Sequence, residues 1–262
     1  MKDVLIRANG INKSYPVGGG KLHPAVKDVS LELYKGETLA LVGESGCGKS
    51  TLAKILMRLV EADSGEIFFD KERISGLSGS ALRPYRKRMQ MVFQDPASSL
   101  DPRMKVRDIV AEPLKAWHIC SSKAETDERV LELLEMVELR EDVLDRYPHQ
   151  FSGGQKQRIG IARAIALNPE LLVCDESVSA LDVSVQAQIL NLLKKLKEQL
   201  GLSCLFISHD LSVVNFIADR VCVMKDGEIC ETAETDVLYG NPQHEYTRYL
   251  LSSIPKISGI HD

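Results

Sequence analysis

Apolar positions along the chain fall into two kinds of run. Thr38-Leu39-Ala40-Leu41-Val42, Leu171-Leu172-Val173-Cys174 and Leu202-Ser203-Cys204-Leu205-Phe206-Ile207 are short and nearly continuous, and each predicts a strand. The second of these suits a strand buried on both faces of a parallel sheet. Another apolar run at 25–33 is separated from Thr38 by a turn at Lys35-Gly36, so the first ninety residues read as strand-rich, with an exposed loop at Gly18-Gly19-Gly20. From about 101 to 167 the spacing becomes helical: Val130, Leu133, Leu134 and Val137 share one face. That block reads as a helical subdomain inserted into a sheet domain. Its last helix opens at Ser152 as N-cap and stops at Asn168-Pro169. After Asp182, a stripe of Val185, Ile189, Leu192, Leu193, Leu196 and Leu200 predicts another helix with ordinary core packing. No internal repeat, low-complexity tract or long coiled-coil register is present. The pattern predicts an α/β fold.

The strand at Thr38 runs straight into Gly43-Glu44-Ser45-Gly46-Cys47-Gly48-Lys49-Ser50-Thr51, followed by a helix predicted over about 49–60. Gly-x-x-x-x-Gly-Lys-Ser between strand and helix lets backbone N–H groups converge on phosphates, with the positive end of the helix behind them. Lys49 supplies a point charge to the β and γ phosphates, and the Ser50 hydroxyl is placed to ligate Mg2+. A side chain at Gly46 or Gly48 would obstruct that approach. The competing reading, a chance glycine turn before a helix, does not account for strand, lysine and serine together. A nucleoside triphosphate is therefore the expected ligand.

Two carboxylates follow the run 171–174, where parallel sheets place their ligands. Asp175 can hold the Mg2+ hydration shell, and Glu176 is the candidate to polarise an attacking water; alone, the pair could instead open a solvated turn. His209 follows the run 202–207. A histidine there is often a satisfied turn residue, but one helix and one strand from Glu176 would bring both to the same sheet edge.

At 262 residues the chain has room for one large domain, or a domain with a subdomain. A net charge of -4 provides no basic footprint for nucleic acid. No stretch reaches the roughly 18–20 uninterrupted apolar residues of a membrane helix, and Met1-Lys2-Asp3 does not lead into a signal-peptide core, so the chain is expected not to span a membrane. Cys47, Cys120, Cys174, Cys204, Cys222 and Cys230 form no CxxC pair and read as reduced packing residues; a metal cluster would need ligands from a partner. Cys47, inside the glycine loop, is expected to be open to alkylation or oxidation when nucleotide is absent.

These residues, with Met91-Val92-Phe93-Gln94-Asp95-Pro96, Phe151-Ser152-Gly153-Gly154-Gln155 and Ser179-Ala180-Leu181-Asp182, resemble an ATP-binding-cassette ATPase, the nucleotide-binding subunit of an ABC transporter. The resemblance covers nearly the whole chain. It implies a phosphate-loop NTPase cassette with a mixed sheet core, an N-terminal antiparallel β part and the inserted helical subdomain. As one nucleotide-binding domain over 1–262, it would have its core at about 1–100 and 168–240, the helical subdomain at about 101–167 and a helical tail at about 241–262. It further implies ATP and Mg2+ as cofactors and a role for each motif. Gly43 to Thr51 hold the phosphates, and Gln94 is the Q-loop glutamine, joining Ser50 and Asp175 around the metal. Ser152 to Gln155 form the signature, and Asp182 closes the D-loop. Glu176, His209, Gln94 and Lys49 carry the chemistry, and Tyr15 stacks on adenine, unless it only packs. Phe151 departs from the usual Leu and Ser177 from the usual Pro; neither removes a charge, although Ser177 loosens the backbone after Glu176.

Because a signature helix far from its own Lys49 has no phosphate to bind, the resemblance implies a head-to-tail dimer in which Ser152, Gly153 and Gly154 close on the partner's γ-phosphate. The stretch from Val92 to Arg103 and the tail Gly240-Asn241-Pro242-Gln243-His244-Glu245-Tyr246-Thr247-Arg248-Tyr249-Leu250-Leu251 are similar to ATPases of di- and oligopeptide importers and of related nickel or metallophore importers. That implies two permeases, a second ATPase subunit, an extracytoplasmic solute-binding protein acting indirectly, and a place at the cytoplasmic face of the membrane. Peptide is the first reading of the cargo and nickel or a metal chelate the second. The tail stops soon after Pro255, without the cysteine-bearing extension of some peptide-importer relatives. The alternative is a soluble ABC ATPase acting on nucleic acid or a ribosome, against which the acidic balance and the absence of a long heptad arm both speak. A subunit that binds ATP without turnover is disfavoured by Lys49, Asp175, Glu176 and His209.

Overall fold

A computed structural model describes residues 3–253; the expectations attached to Met1, Lys2 and Pro255 lie outside the described residues. The chain divides into two compact units. One, the loop-bearing unit, is made of Val4–Leu33, Glu37–Ser75 and 206–253; the other, the helical unit, contains Tyr34–Gly36 and Gly76–Leu205.

The loop-bearing unit opens with β1 (Val4–Pro16), β2 (Leu22–Tyr34), β3 (Thr38–Val42), α1 (Lys49–Leu56), β4 (Ser64–Phe69) and β5 (Glu72–Arg73). Four of these strands form a sheet in the order β2-β1-β4-β5, with β4 antiparallel to both β1 and β5. Ile6 lies opposite Phe69 and Ala8 opposite Ile67. All four are buried, while Arg7 and Asn9 face out, the period-two alternation of a sheet with one wet face. The helix α1 stops at Leu56 rather than near Val60. Arg58 takes a left-handed φ of 54°, and the N–H groups of Leu59 and Val60 both return to the Lys54 carbonyl at 2.8 and 3.2 Å, closing the helix end.

The helical unit carries α2 (Gly79–Arg88), β6 (Met89–Val92), α3 (Pro96–Ser99), α4 (Val106–Ala116), α5 (Lys123–Met136), α6 (Gly153–Ile165), β7 (Leu171–Asp175) and α7 (Val183–Leu200). In α5 the residues Val130, Leu133 and Leu134 are buried, together with Val137 just beyond, as their spacing predicts. Arginines of α6 fasten the neighbouring segments: Arg158 Nη1 donates to the Val137 carbonyl at 2.8 Å, and Arg163 Nη1 to the Ser99 carbonyl at 2.7 Å. In α7, Ile189, Leu192, Leu193 and Leu196 are buried, and Val185 and Leu200 at the ends are half-buried. Gly201, at φ 64°, terminates that helix.

β8 (Ser203–Ser208) begins in the helical unit and ends in the loop-bearing one, which continues as α8 (Leu211–Ile217), β9 (Arg220–Lys225), β10 (Glu228–Glu234), α9 (Thr235–Gly240) and α10 (Glu245–Ser252). Within the loop-bearing unit the strand order is β10-β9-β3-β8, with β3 parallel to β9 and β10 antiparallel to β9. Within the helical unit it is β8-β7-β6, with β6 parallel to β7 and Met89 beside Leu171. Every residue of β3, β7 and β8 is buried, which is why their sequences are apolar runs and not alternations. Among the described residues no helix is long and apolar enough to cross a membrane.

Candidate active site

The glycine loop sits between β3 and α1 in the loop-bearing unit, and its three glycines are not equivalent. Gly43, Gly46 and Gly48 have φ of 150°, 83° and 109°. A Cβ on Gly43 would lie 2.1 Å from the Met224 carbonyl oxygen, and one on Gly48 the same distance from the Ala25 carbonyl oxygen. Both positions therefore require glycine because a neighbouring backbone touches them. The obstruction expected at Gly46 has a different origin: a Cβ there would meet no protein atom within 4 Å, so the chain leaves that face of the loop open. Glu44, Ser45 and Gly46 are exposed, whereas Ser50 and Thr51 are half-buried in the first turn of α1.

Lys49 is 4% exposed, and its ammonium donates to the carbonyls of Gly43 and Glu44, both at 2.7 Å, with Cys47 Sγ at 3.7 Å. No carboxylate among the described residues pairs with it. A buried cation whose partners are all neutral is under-compensated and attracts an anion. The expected reactivity of Cys47 is corrected by the same geometry. The thiol is buried, and burial pushes its pKa above the ordinary cysteine value despite the opposing pull of Lys49. A thiol so placed carries less of the reactive thiolate.

His209 is exposed at the end of β8, directly before Asp210, whose carboxylate caps α8 by accepting the Ser212 N–H at 2.8 Å. Tyr15 lies near the end of β1, 37% exposed, with the Lys13 ammonium 5.6 Å from its ring. Two ties to the loop have no counterpart in the motifs. The Gly227 N–H of the β9–β10 turn donates to the Cys47 carbonyl at 3.0 Å, and the Glu44 N–H donates to the Tyr246 hydroxyl of α10 at 3.2 Å.

In the helical unit, β7 delivers Asp175 buried at its C-terminal end and Glu176 just beyond. Glu176 has φ 45°, the left-handed region that side chains other than glycine enter at a cost. Gln94, after β6, donates its Nε2 to Glu176 Oε2 at 2.8 Å, and Ser179 donates both its N–H and its hydroxyl to the Glu176 carbonyl. Gln94, Asp175 and Glu176 are thus brought together at the ends of paired parallel strands. Ser177 is buried.

Asp182 is the N-cap of α7: its carboxylate accepts from the Ser184 hydroxyl at 2.7 Å and the Val185 N–H at 3.0 Å. These bonds, the hydroxyl's first, hold its carboxyl below the usual range. Ser152 caps α6 in a reciprocal box, with Gln155 N–H donating to Ser152 Oγ and Ser152 N–H donating to Gln155 Oε1. The Gln155 side chain is therefore turned onto its own helix start. A Cβ on Gly154 would sit 2.3 Å from Val185 Cγ1, and one on Gly153 3.2 Å from Leu181 Cδ2, so the signature glycines let α6 approach the start of α7.

A glycine loop leading from a buried strand into a helix, built around a buried lysine bonded to neutral groups, defines a phosphate-loop nucleotide-binding cassette. Residues 26–179 match the family model for the ABC transporter. The chain is 54% identical over 232 residues to the oligopeptide transport ATP-binding protein OppF of Bacillus subtilis, covering 88% of this chain and 76% of that protein. It is 49% identical over 253 residues to the dipeptide transport ATP-binding protein DppF of Lactococcus lactis, covering 96% and 81% respectively. Among solved structures, a dimeric post-hydrolysis state of the ATP-binding cassette MJ0796, bound to ADP and Pi, superposes with a TM-score of 0.80 at 33% identity, covering 88% of this chain and 99% of that one. The chain belongs to the ABC transporter family and is one of its ATPases.

Proposed function

We propose that this chain is the ATP-hydrolysing subunit of a peptide importer, working at the cytoplasmic face of a membrane beneath two permeases. The observation that carries the nucleotide part is the buried Lys49 ammonium, bonded to loop carbonyls and sulfur, beside the open face at Gly46. The peptide part rests on the similarity to OppF and DppF, which favours peptide over nickel or a metal chelate and over a target in nucleic acid or the ribosome. In this reading the loop from Gly43 to Thr51 holds the ATP phosphates, Tyr15 stacks on the adenine, and Lys49 neutralises the β and γ oxygens. Ser50, Asp175 and Gln94 are the residues that would hold Mg2+, which would draw charge from the phosphate oxygens. The donor set fits: one hydroxyl, one carboxylate and one amide leave most positions to phosphate and water, as Mg2+ favours.

Glu176 is the general base for the attacking water and His209 contacts the γ-phosphate. A second ATPase subunit, alike or different, pairs head to tail and offers its own equivalents of Ser152, Gly153, Gly154, Gln155 and Asp182; that the MJ0796 cassette is dimeric supports dimer formation as such. ATP binds the closed dimer better than the open halves, and hydrolysis reverses that preference. The test is a pull-down of tagged Glu176→Gln protein from detergent-solubilised host membranes with ATP present. Recovery of two permeases and an ATPase partner is the expected result. Wild-type turnover in that variant would remove Glu176 from its role, and recovery of ribosomes or DNA in place of permeases would sink the importer reading.

A further inference from the structure

We propose that Tyr246 is a positioning residue for nucleotide binding, its phenol holding the phosphate loop from α10 in the shape that receives phosphate. The proposal rests on the reading of that loop as the nucleotide site. Glu44 joins the phenol to the lysine. Its N–H donates to the Tyr246 hydroxyl at 3.2 Å, while its carbonyl accepts the Lys49 ammonium at 2.7 Å. The phenol thus fixes one side of the residue whose other side orients the lysine.

The tyrosine is itself held firmly. It is 5% exposed although it comes from the last described helix, and the Lys225 ammonium lies 4.9 Å from its ring centroid. Tyr249 stacks beside it with centroids 6.4 Å apart. The segment leading into α10 is pinned to β10, because the Glu231 carboxylate accepts the N–H groups of Gln243 and His244 at 2.8 and 3.0 Å. His244 Nδ1 then caps the helix by accepting the Tyr246 N–H at 3.1 Å. Burial pushes the phenol's pKa above its ordinary value, so it stays neutral through the physiological range. Gly227, from the turn beside Lys225, supplies a second anchor through its bond to the Cys47 carbonyl. Between the two anchors, Ser45 and Gly46 remain exposed.

A bond already made in the free loop weakens binding, when lost, by letting the loop visit shapes that do not bind. Apparent affinity falls by the fraction of competent loop. One neutral hydrogen bond bounds that effect at about 2- to 12-fold. Turnover at saturating ATP should not change, because bound phosphate restores the loop.

The experiment measures Kd for Mg-ATP and Mg-ADP, kcat and KM for ATP, and Tm of the full chain as wild type, Tyr246→Phe, Tyr249→Phe and Lys49→Ala. Tyr246→Phe keeps the ring and loses only the hydroxyl. The expected result is a rise in Kd and KM in Tyr246→Phe of about 2-fold or more, up to about 12-fold, with kcat unchanged, Tm lowered by no more than about 4 °C and Tyr249→Phe indistinguishable from wild type. Faster hydrogen exchange at the Glu44 amide should accompany it. Wild-type Kd in Tyr246→Phe overturns the proposal, as does a fall of kcat at saturating ATP, which would mark a role other than holding the free loop. If wild type and Lys49→Ala bind nucleotide equally, the reading of the loop itself fails and the proposal with it.

Discussion

Replacing Glu176 by glycine and by alanine separates backbone cost from catalytic loss. Both variants lack the carboxylate and the bond from Gln94, so they should be equally silent in hydrolysis. They differ in what the φ of 45° demands. An L-residue held there pays about 1–2 kcal/mol that glycine does not. Glycine returns roughly 0.5–1 kcal/mol of this through its freer unfolded chain. Glu176→Gly should therefore be more stable than Glu176→Ala by about 0.75 kcal/mol, within a span of roughly 0–1.5 kcal/mol, or about 2–3 °C in Tm for a protein of this size. Urea and thermal unfolding without nucleotide, read by circular dichroism, measure the difference. An alanine variant as stable as the glycine variant, or more so, would refute the claim that the backbone at the candidate base is strained. The expected order would mean that this position is held at a stability cost in order to aim a carboxylate at the Gln94 amide.

The two kinds of glycine in the loop should respond differently to alanine. Gly46→Ala should fold with a loss of about 1–2 kcal/mol while Mg-ATP affinity falls sharply. Gly43→Ala, with its Cβ against the Met224 carbonyl, should lose about 3 kcal/mol or more before nucleotide is considered. Equal stability of the two in urea would overturn the distinction. Cys47 should react with iodoacetamide more slowly than a free cysteine at a pH of about 7.5. Because its pKa is raised, its thiolate fraction is smaller than a free cysteine's at any given pH, and the rate should go on climbing with pH beyond the ordinary value of 9.0. Fast labelling of the folded chain at neutral pH, measured by mass spectrometry against a urea-unfolded control, would contradict the burial.

Much of this architecture is legible because its elements announce themselves locally. β3, β7 and β8 are buried throughout, so each reads as an apolar run without needing its neighbours. The Ser152 box is equally local, with both partners within three residues. The end of α1 is not legible, because Met57, Arg58 and Leu59 carry no glycine or proline to mark the left-handed turn at Arg58. Contacts distant in sequence are illegible for a different reason. Gly43 and Cys47 are constrained by Met224 and Gly227, and no spacing rule connects residues so far apart. Tyr246 carries a signal, since the tail around it is part of the family resemblance, but a pattern does not say which atom its tyrosine reaches. The strain at Glu176 is also invisible in sequence, where a glutamate after an aspartate has no φ.

The tie between Glu44 and Tyr246 spans 202 residues. A ribosome elongating at about 5–20 residues per second would release the tyrosine roughly 10–40 s after the loop. During that interval the nascent chain displays the whole glycine loop but has neither the β9–β10 turn nor α10 to fasten it. The last fastening of the loop is thereby placed after the synthesis of α10. A chain that stops short of α10 carries the full phosphate-binding motif without this tie, and long-range closure adds to local helix formation in preparing the loop for ATP.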